Sequence, residues 1–262
     1  MSLVFERDGA VARLVLNRPD QGNSFNEELG QALLEAAIAC DEDEGIRCVV
    51  LAGRGRMFCA GGDIQGFLAN TERIGAYLKG LTHVVHGALI RLLRMNKPLV
   101  TSIHGPAAGA GLCLAALGDI ALAARSAHFT AAYTAIGLSP DGASTWVLPR
   151  LIGMRRTQEL MLLNRRVPAE EAAAMGLITR VVDDAALEAE TAQVAATLAG
   201  SATQALGRTR NLLLSSFSSG LEEQMEAEAR TIAACGAGPE GREGVAAFVG
   251  KRKPSFSGRT GD

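Results

Sequence analysis

The pattern of apolar positions changes along the chain. Apolar and more polar residues alternate over 11–17, which predicts a half-buried strand, and the Asp8-Gly9 pair before it is typical of a hairpin turn. Three short apolar runs predict buried strands: 46–53, 97–105 and 119–124. Helical periodicity covers residues 74–95, and Asn26 is a candidate N-cap for an earlier helix.

Strands and helices therefore alternate from Val4 to Val182, which predicts a layered α/β fold with parallel strand pairing. After Asp184 the pattern is helical throughout. We interpret residues 1–184 as the core and 185–262 as a helical region whose apolar faces pack on another subunit. The end of the chain, KRKPSFSGRTGD, is basic at first and is expected to be disordered beyond that.

Composition narrows the class of protein. The 262 residues are 48% hydrophobic and 21% charged, with a net charge of −2, so we expect neither a nucleic-acid nor a membrane partner. The N-terminus does not have the pattern of a signal peptide. The five cysteines form no C-x-x-C pair and show no zinc-ligand spacing with the histidines, which favours reduced thiols, a cytoplasmic location and no metal.

The segment 105–120, GPAAGAGLCLAALGDI, is small, apolar and rich in glycine. It could bind phosphate, pack closely, or act through its backbone N–H groups. A dinucleotide-binding fingerprint needs a third glycine, but Leu114 stands at that position, and no P-loop motif occurs in the sequence. The phosphate interpretation is therefore disfavoured.

A second glycine-rich segment, 53–64, also follows a predicted buried strand. Two such loops can bring two backbone N–H groups to one point, and small side chains allow a carbonyl oxygen to approach closely. Two donors at one developing oxyanion form an oxyanion hole. Close packing of small residues explains the same composition, and the residues alone do not decide between these hypotheses.

Longer motifs point to a known family. The segments LNRPDQGNSFN, FCAGGDI, HGPAAGAGLCLAALGDIALAA, IGLSPDGASTWVLPRLIG and AAAMGLITRVV resemble the enoyl-CoA hydratase/isomerase (crotonase) family in order and spacing. The resemblance covers nearly the whole chain and is nearest to the subgroup of epoxyphenylacetyl-CoA isomerases. It implies the crotonase fold, a spiral of ββα units followed by helices that form trimers or dimers of trimers. It also implies an acyl-CoA thioester substrate, no further cofactor, and an enolate held by two backbone N–H groups.

The resemblance assigns roles to individual residues. The two oxyanion-hole donors would be the N–H groups of Gly62 and Ala110. Residues expected along the path of the CoA are Ser24, Phe25, Cys59, Ala60, Asp63 and Ile64, with Asp63 mainly holding its loop. Lys251 and Lys253 resemble a basic cluster near the CoA phosphates, often contributed by a neighbouring subunit, although a solvated run of charges explains them equally well.

The sequence departs from the family's hydratases at two positions. Those enzymes use two glutamates to activate and deliver water, because one carboxylate accepts a proton while the other donates one. Here the positions are occupied by Cys113 and Tyr133. We interpret Cys113 as a small buried apolar residue, and Tyr133 as a lining residue or a hydrogen-bond donor of the acyl pocket. Simple hydration of an enoyl-CoA is therefore disfavoured.

One candidate acid–base group remains. Asp141 lies in GLSPDGAST, a context that resembles the isomerase-type members, where an aspartate moves a proton. The local sequence supports a second interpretation, because Pro-Asp-Gly is a natural turn and Asp141 could cap a helix that begins near Ala143.

The sequence as a whole predicts an acyl-CoA isomerase that shifts a double bond, or rearranges an epoxide, through a thioester enolate. A hydratase that holds water with other groups is the alternative among enzymes. A non-catalytic acyl-CoA-binding scaffold is the alternative from another class.

Overall fold

A computed structural model describes residues 1–256, so the end of the basic tail lies outside the described residues. The strands are β1 (Leu3–Asp8), β2 (Val11–Leu16), β3 (Cys48–Gly53), β4 (Leu99–Ile103), β5 (Ala107–Ala108), β6 (Ile120–Ala124), β7 (His128–Thr130), β8 (Val167–Pro168) and β9 (Arg180–Val182).

The helices include every segment for which the sequence predicts helical structure. They are α1 (Glu27–Glu42), α2 (Ile64–Ala69), α3 (Ile74–Arg94), α4 (Ala110–Ala116), α5 (Ser144–Ile152), α6 (Met154–Leu163), α7 (Ala169–Met175), α8 (Leu187–Ala199), α9 (Thr203–Ser215), α10 (Leu221–Ala237) and α11 (Pro239–Val249). The side chain of Asn26 caps α1, because its Oδ1 accepts a hydrogen bond of 2.9 Å from the N–H of Leu29.

The main sheet has six strands in the order β1-β2-β3-β4-β6-β9. The first two form the predicted antiparallel hairpin, and every later pair is parallel. Strands β3 and β4 are buried almost throughout, as expected for parallel strands covered on both faces. The predicted α/β fold with parallel pairing is confirmed.

A second, smaller layer positions the glycine-rich loops. It consists of β5, β7 and β8, and it is extended by two single parallel bridges, Phe25 with Gly62 and Cys59 with Ala107. The segments that follow β2, β3 and β4 thus lie side by side. Because each bridge fixes the register of its neighbour, the loop at 59–63 is held directly beside the start of α4.

The predicted strand over 97–105 begins two residues later, at Leu99. Lys97 lies before it, nearly buried, and its Nζ donates to the carbonyl oxygens of Cys40, Asp41 and Asp43 at the end of α1. A lysine at a helix C-terminus satisfies carbonyls that have no partner within the helix. Lys97 therefore serves helix α1 rather than the sheet.

The C-terminal helices attach to the core through buried polar contacts. Arg210 of α9 pairs with Asp119 and also donates to the carbonyl oxygens of Leu92, Met95 and Lys97. Helix α8 packs on the main sheet, where Thr191 and Ser102 share a hydrogen bond of 3.0 Å. The division of the chain at residue 184 stays a prediction.

Large apolar side chains on the outer faces of the last helices are exposed. They lie on α9 to α11 and on the turn after α9, and include Leu213, Phe217, Leu221, Met225, Ile232, Val245, Phe248 and Val249. In the part of the chain that the structure describes, no helix is long and apolar enough to cross a membrane.

Candidate active site

Backbone hydrogen bonds hold the two glycine-rich loops together. Ala108 N donates to Cys59 O at 2.9 Å, while Phe25 N donates to Gly61 O at 2.7 Å and Asp63 N donates back to Phe25 O at 3.0 Å. Residues 59–63 are therefore fixed on both sides, by the loop before α1 and by the strand before α4.

The N–H groups of Gly62 and Ala110 are among those in these loops that have no backbone acceptor within residues 1–256. Ala110 is the first residue of α4, so its N–H points away from the helix and lies at the positive end of the helix dipole. Gly109 before it has φ 53° and ψ −126°, a conformation that only glycine adopts readily. Gly62 and Ala110 can thus each offer a backbone donor to a ligand.

The small residues allow these loops to approach each other. A Cβ atom built on Gly61 would lie 2.9 Å from Ala108 O and 3.3 Å from Ala110 N. A Cβ built on Gly111 would lie 2.7 Å from the carbonyl carbon of Cys59. Glycine at these positions is required because the segments touch through their backbones.

Asp63 holds its loop in place. Its carboxylate accepts from the N–H groups of Gln65 and Gly66, which caps α2, and pairs with Arg18 at 2.9 Å. Burial alone would raise the pKa of Asp63, but the hydrogen bonds from Arg18 and Gly66 outweigh it and keep the pKa below its usual range.

Asn23 organises the same region from inside. Its buried side-chain amide donates to the carbonyl oxygens of Arg54, Met57 and Phe58, and its Oδ1 accepts from Arg18 N. The sequence analysis did not single out this side chain. An asparagine in a Gly-Asn-Ser loop is typical of a turn, so the local sequence does not indicate that its side chain is buried and hydrogen-bonded.

Cys113, Tyr133 and Asp141 form one cluster beside α4. The hydroxyl of Tyr133 donates to Asp141 Oδ1 at 2.8 Å, and Cys113 Sγ lies 3.6 Å from the same hydroxyl and 3.6 Å from Gly109 O. A Cβ built on Gly109 would lie 4.0 Å from the Tyr133 ring. Tyr133 therefore contacts the carboxylate of Asp141, whereas Cys113 contacts the Tyr133 hydroxyl and the backbone carbonyl oxygen of Asp141.

The electrostatics of the cluster keep its thiol and phenol protonated. Burial raises the pKa of Cys113 to about 11, and burial, together with the charges of Cys113 and Asp141, raises that of Tyr133 well above its usual value. At neutral pH both groups are neutral donors. Asp141, about a third of whose side chain is exposed, accepts the hydrogen bond from Tyr133.

The side chain of Asp141 does not cap α5. The carbonyl oxygen of Asp141 accepts from Ser144 N at 3.1 Å and from Ser144 Oγ at 2.7 Å, while its carboxylate is directed to Tyr133. The turn is thus closed by the backbone. This leaves the carboxylate available to a ligand.

A histidine that the sequence analysis did not single out completes the cluster. His86 on α3 places its Nε2 3.4 Å from Asp141 Oδ2 and accepts a hydrogen bond of 3.2 Å from Gly142 N. Its sequence position gave no signal, because it lies within an amphipathic helix and far from Asp141 along the chain.

The remaining predicted ligand-contacting residues are placed as follows. Phe25 and Cys59 have buried side chains, so only their backbones can meet a ligand, and Ala60 N donates to Gly22 O. Ser24 is also buried, whereas Ile64, at the start of α2, is half exposed.

Within residues 1–256, no hydrogen bond or ion pair joins Lys251 or Lys253 to these loops. Lys251 and Lys253 are exposed, and Arg252 between them pairs with Glu243. A cavity of about 580 Å³ next to the tail is lined by residues of the hairpin, α8 and the tail, including Ala10, Thr191 and Phe256. It shares no residue with the two loops or the cluster.

Two further polar side chains, those of His104 and Arg150, make contacts within the fold. His104 Nε2 bonds to Gly55 O, and burial lowers the pKa of its imidazole. Arg150 stacks over the rings of Trp146 and Phe217, with its guanidinium carbon 4.0 Å from the centre of the first. Within residues 1–256, no group of three or more acidic, histidine or cysteine side chains is placed to hold a metal ion.

The fold and the paired backbone donors define a class of protein. The chain matches the enoyl-CoA hydratase/isomerase family over residues 6–259, belongs to that family and has the crotonase fold, as the sequence motifs predict. A crystal structure of an enoyl-CoA hydratase from Polaromonas sp. JS666 superposes with a TM-score of 0.93 at 31% identity, covering 97% of this chain and 98% of the other.

Individual relatives are similar over nearly their whole length. The chain is 39% identical over 250 residues to 1,2-epoxyphenylacetyl-CoA isomerase of Escherichia coli (strain K12), which covers 95% of each chain. It is 36% identical to a probable enoyl-CoA hydratase of Rhodobacter capsulatus over 97% of each chain. The protein is therefore an enzyme of the enoyl-CoA hydratase/isomerase family.

Proposed function

We propose that this enzyme is an acyl-CoA isomerase that works through a thioester enolate. The thioester carbonyl oxygen would lie between the N–H groups of Gly62 and Ala110, and Asp141 would remove a proton from one carbon and return it to another. The observation that carries the proposal is the Asp141 carboxylate, held at 2.8 Å by Tyr133 next to the start of α4.

The electron flow is simple. When the C–H bond at the α-carbon breaks, its proton goes to Asp141 and its electron pair is delocalised onto the thioester oxygen. Two N–H donors that are already oriented stabilise this charge without reorganisation, and removing one comparable donor costs about 10²–10³ in rate. Return of the proton at the γ-carbon completes a double-bond shift.

The acyl group is part of the same proposal. The similarity to an enzyme named for an epoxyphenylacetyl-CoA favours an enoyl or arylacetyl thioester, for which the enolate could also support opening of an epoxide. Because the CoA moiety belongs to the substrate, the proposed reaction needs no other cofactor. Ser24, Phe25, Cys59, Ala60 and Ile64 would line the CoA path.

The proposal also covers binding of the CoA phosphates, self-association and the location of the enzyme. Lys251 and Lys253 would reach the phosphates of a CoA bound to a neighbouring subunit, because they are not joined to the loops of their own chain. The exposed apolar faces of α9 to α11 support self-association as a trimer or a dimer of trimers. We place the enzyme in the cytoplasm on the reduced state expected of its cysteines.

Asp141→Asn tests the isomerase. The amide preserves the shape of the side chain and can still accept from Tyr133, but it cannot take up a proton. General acid–base catalysis typically contributes about 10²–10⁴ in rate, so we expect kcat on a 3-enoyl-CoA to fall by that factor with little change in KM. Glu222→Gln on α10 is the matched control, and turnover near that of the control would remove Asp141 from the mechanism.

A hydratase is the second candidate, because several relatives carry that name. Hydration of crotonyl-CoA by the wild-type enzyme measures it directly. We expect this reaction to be much slower than isomerisation, since Cys113 and Tyr133 supply no second carboxylate. Efficient hydration would favour the hydratase, and binding without conversion across a panel of thioesters would favour a non-catalytic acyl-CoA scaffold.

A further inference from the structure

His86 contacts the carboxylate of Asp141 on the side opposite to Tyr133. It comes from α3, whereas Asp141 lies in the loop before α5, and its Nε2 is 3.4 Å from Asp141 Oδ2. The ring is partly exposed, with 42% of the side chain accessible, so it reaches both the carboxylate and solvent.

The Nε2 atom faces two groups with opposite requirements. Gly142 N, at 3.2 Å, donates to it and so requires a lone pair there. The carboxylate oxygen at 3.4 Å is itself an acceptor, so an attractive contact with it requires a proton between the two atoms. A proton shared between Asp141 and His86 therefore needs little movement, and when it resides on Nε2 the contact with Oδ2 replaces the hydrogen bond from Gly142 N.

We infer that His86 relays the proton of Asp141 to solvent during the isomerisation. After Asp141 removes a proton from the α-carbon, its Oδ2–H bond breaks as an Nε2–H bond forms on His86, giving a carboxylate and an imidazolium. The imidazolium exchanges a proton with water and returns one to Asp141, which delivers it to the γ-carbon. His86 acts through Asp141 and is therefore a positioning and relay residue.

Tyr133 cannot perform this role. Its hydroxyl donates to the other carboxylate oxygen and lies in a buried contact with Cys113, and its raised pKa keeps it protonated. The carboxylate therefore has a fixed side, at Tyr133, and an exchangeable side, at His86. The inference rests on the proposed function, because it assigns a route to a proton that Asp141 must carry.

The test is isotopic. Wild-type enzyme is supplied with a 3-enoyl-CoA in ²H₂O, and deuterium at the γ-carbon of the product is measured by mass spectrometry at low conversion. We expect most product molecules to carry solvent deuterium. In His86→Gln, whose amide can accept from Gly142 N but cannot bind a proton, we expect incorporation per turnover to fall at least about fivefold while kcat falls less than tenfold.

His83→Gln is the matched control, since His83 lies one turn earlier on α3 and is exposed. It should behave as the wild type. His86→Ala provides a second route: added imidazole should restore incorporation, which a purely structural role would not explain.

The possible failures are distinguishable. Turnover with equal deuterium incorporation in wild type and His86→Gln overturns the relay and leaves the isomerase intact, as does product free of solvent deuterium in the wild type. Absence of wild-type turnover on the substrate panel removes the isomerase and the relay with it.

Discussion

Gly111→Ala tests whether the backbone geometry of the two loops determines activity. A methyl group at this position would lie 2.7 Å from the carbonyl carbon and 2.8 Å from the Cβ of Cys59, and closer still to its carbonyl oxygen. Ordinary van der Waals contact begins at 3.4 Å, so the segment that carries Gly62 must move by about 0.7 Å or more.

The expected loss follows from that displacement. A misplacement of about 1 Å costs roughly 10²-fold in rate, and complete loss of one oxyanion donor costs about 10²–10³. We therefore expect kcat/KM on a 3-enoyl-CoA to fall by about 10²–10³. Overpacking also costs about 1–3 kcal/mol of stability, so the assay is run well below the Tm, after circular dichroism has established that the variant is folded.

Gly236→Ala is the control for the substitution itself. Gly236 lies on an exposed part of α10, and a Cβ atom built there meets nothing within 4 Å. Replacing an exposed glycine within a helix by alanine stabilises it by about 0.5–1 kcal/mol, and activity should not change. Folded Gly111→Ala with kcat/KM within about threefold of wild type would refute the idea that the separation of the loops determines catalysis.

Two further predictions concern groups whose pKa is shifted. Asp63→Asn should lower stability and raise KM for the thioester, because it removes the ion pair with Arg18. The folded pKa of Asp63 is lowered, so the stability difference from wild type should be present above about pH 4, the usual aspartate value, and vanish as pH falls through the folded pKa. Urea unfolding from pH 3 to 7 measures this difference. A difference that does not depend on pH would contradict the assignment. Iodoacetamide at pH 7.5 should modify the partly exposed Cys235 of the native enzyme and leave Cys113 unmodified. The pKa of Cys113, about 11, keeps it a neutral thiol, which reacts slowly. Rapid labelling of Cys113 would instead show a thiolate in the site.

The positions of the two loops could be predicted from the sequence because the relevant information is local. Each glycine-rich run follows a buried strand, and the parallel order of those strands places the runs at the same edge of the sheet. Glycine is needed at positions 61 and 111 because a Cβ atom there would clash with backbone atoms of the opposite loop. The choice between close packing and an N–H site was not accessible, because both need the same small residues.

The environment of Asp141 could not be predicted for a different reason. Pro-Asp-Gly encodes a turn, and the turn forms, but the direction of the carboxylate is set by Tyr133 and His86, which come from other elements. The pairing with His86 depends on how α3 packs beside the loop before α5. Hydrophobic periodicity places His86 on a helix and contains no information about its partner.

These two kinds of residue divide the work of the site. The proposed oxyanion donors are backbone groups, so their positions depend on glycines and strand register and change little with most side-chain substitutions. The titratable side chains of the cluster are those of His86, Cys113, Tyr133 and Asp141, carried by α3, α4 and the loops before α5. Among the described residues, the contact of Cys113 with Gly109 O joins this cluster to the loop backbone. In the proposed mechanism, substitutions at these four positions change which atom gives or receives a proton while the enolate remains stabilised. The carboxylate at 141 and its two partners would then decide the reaction.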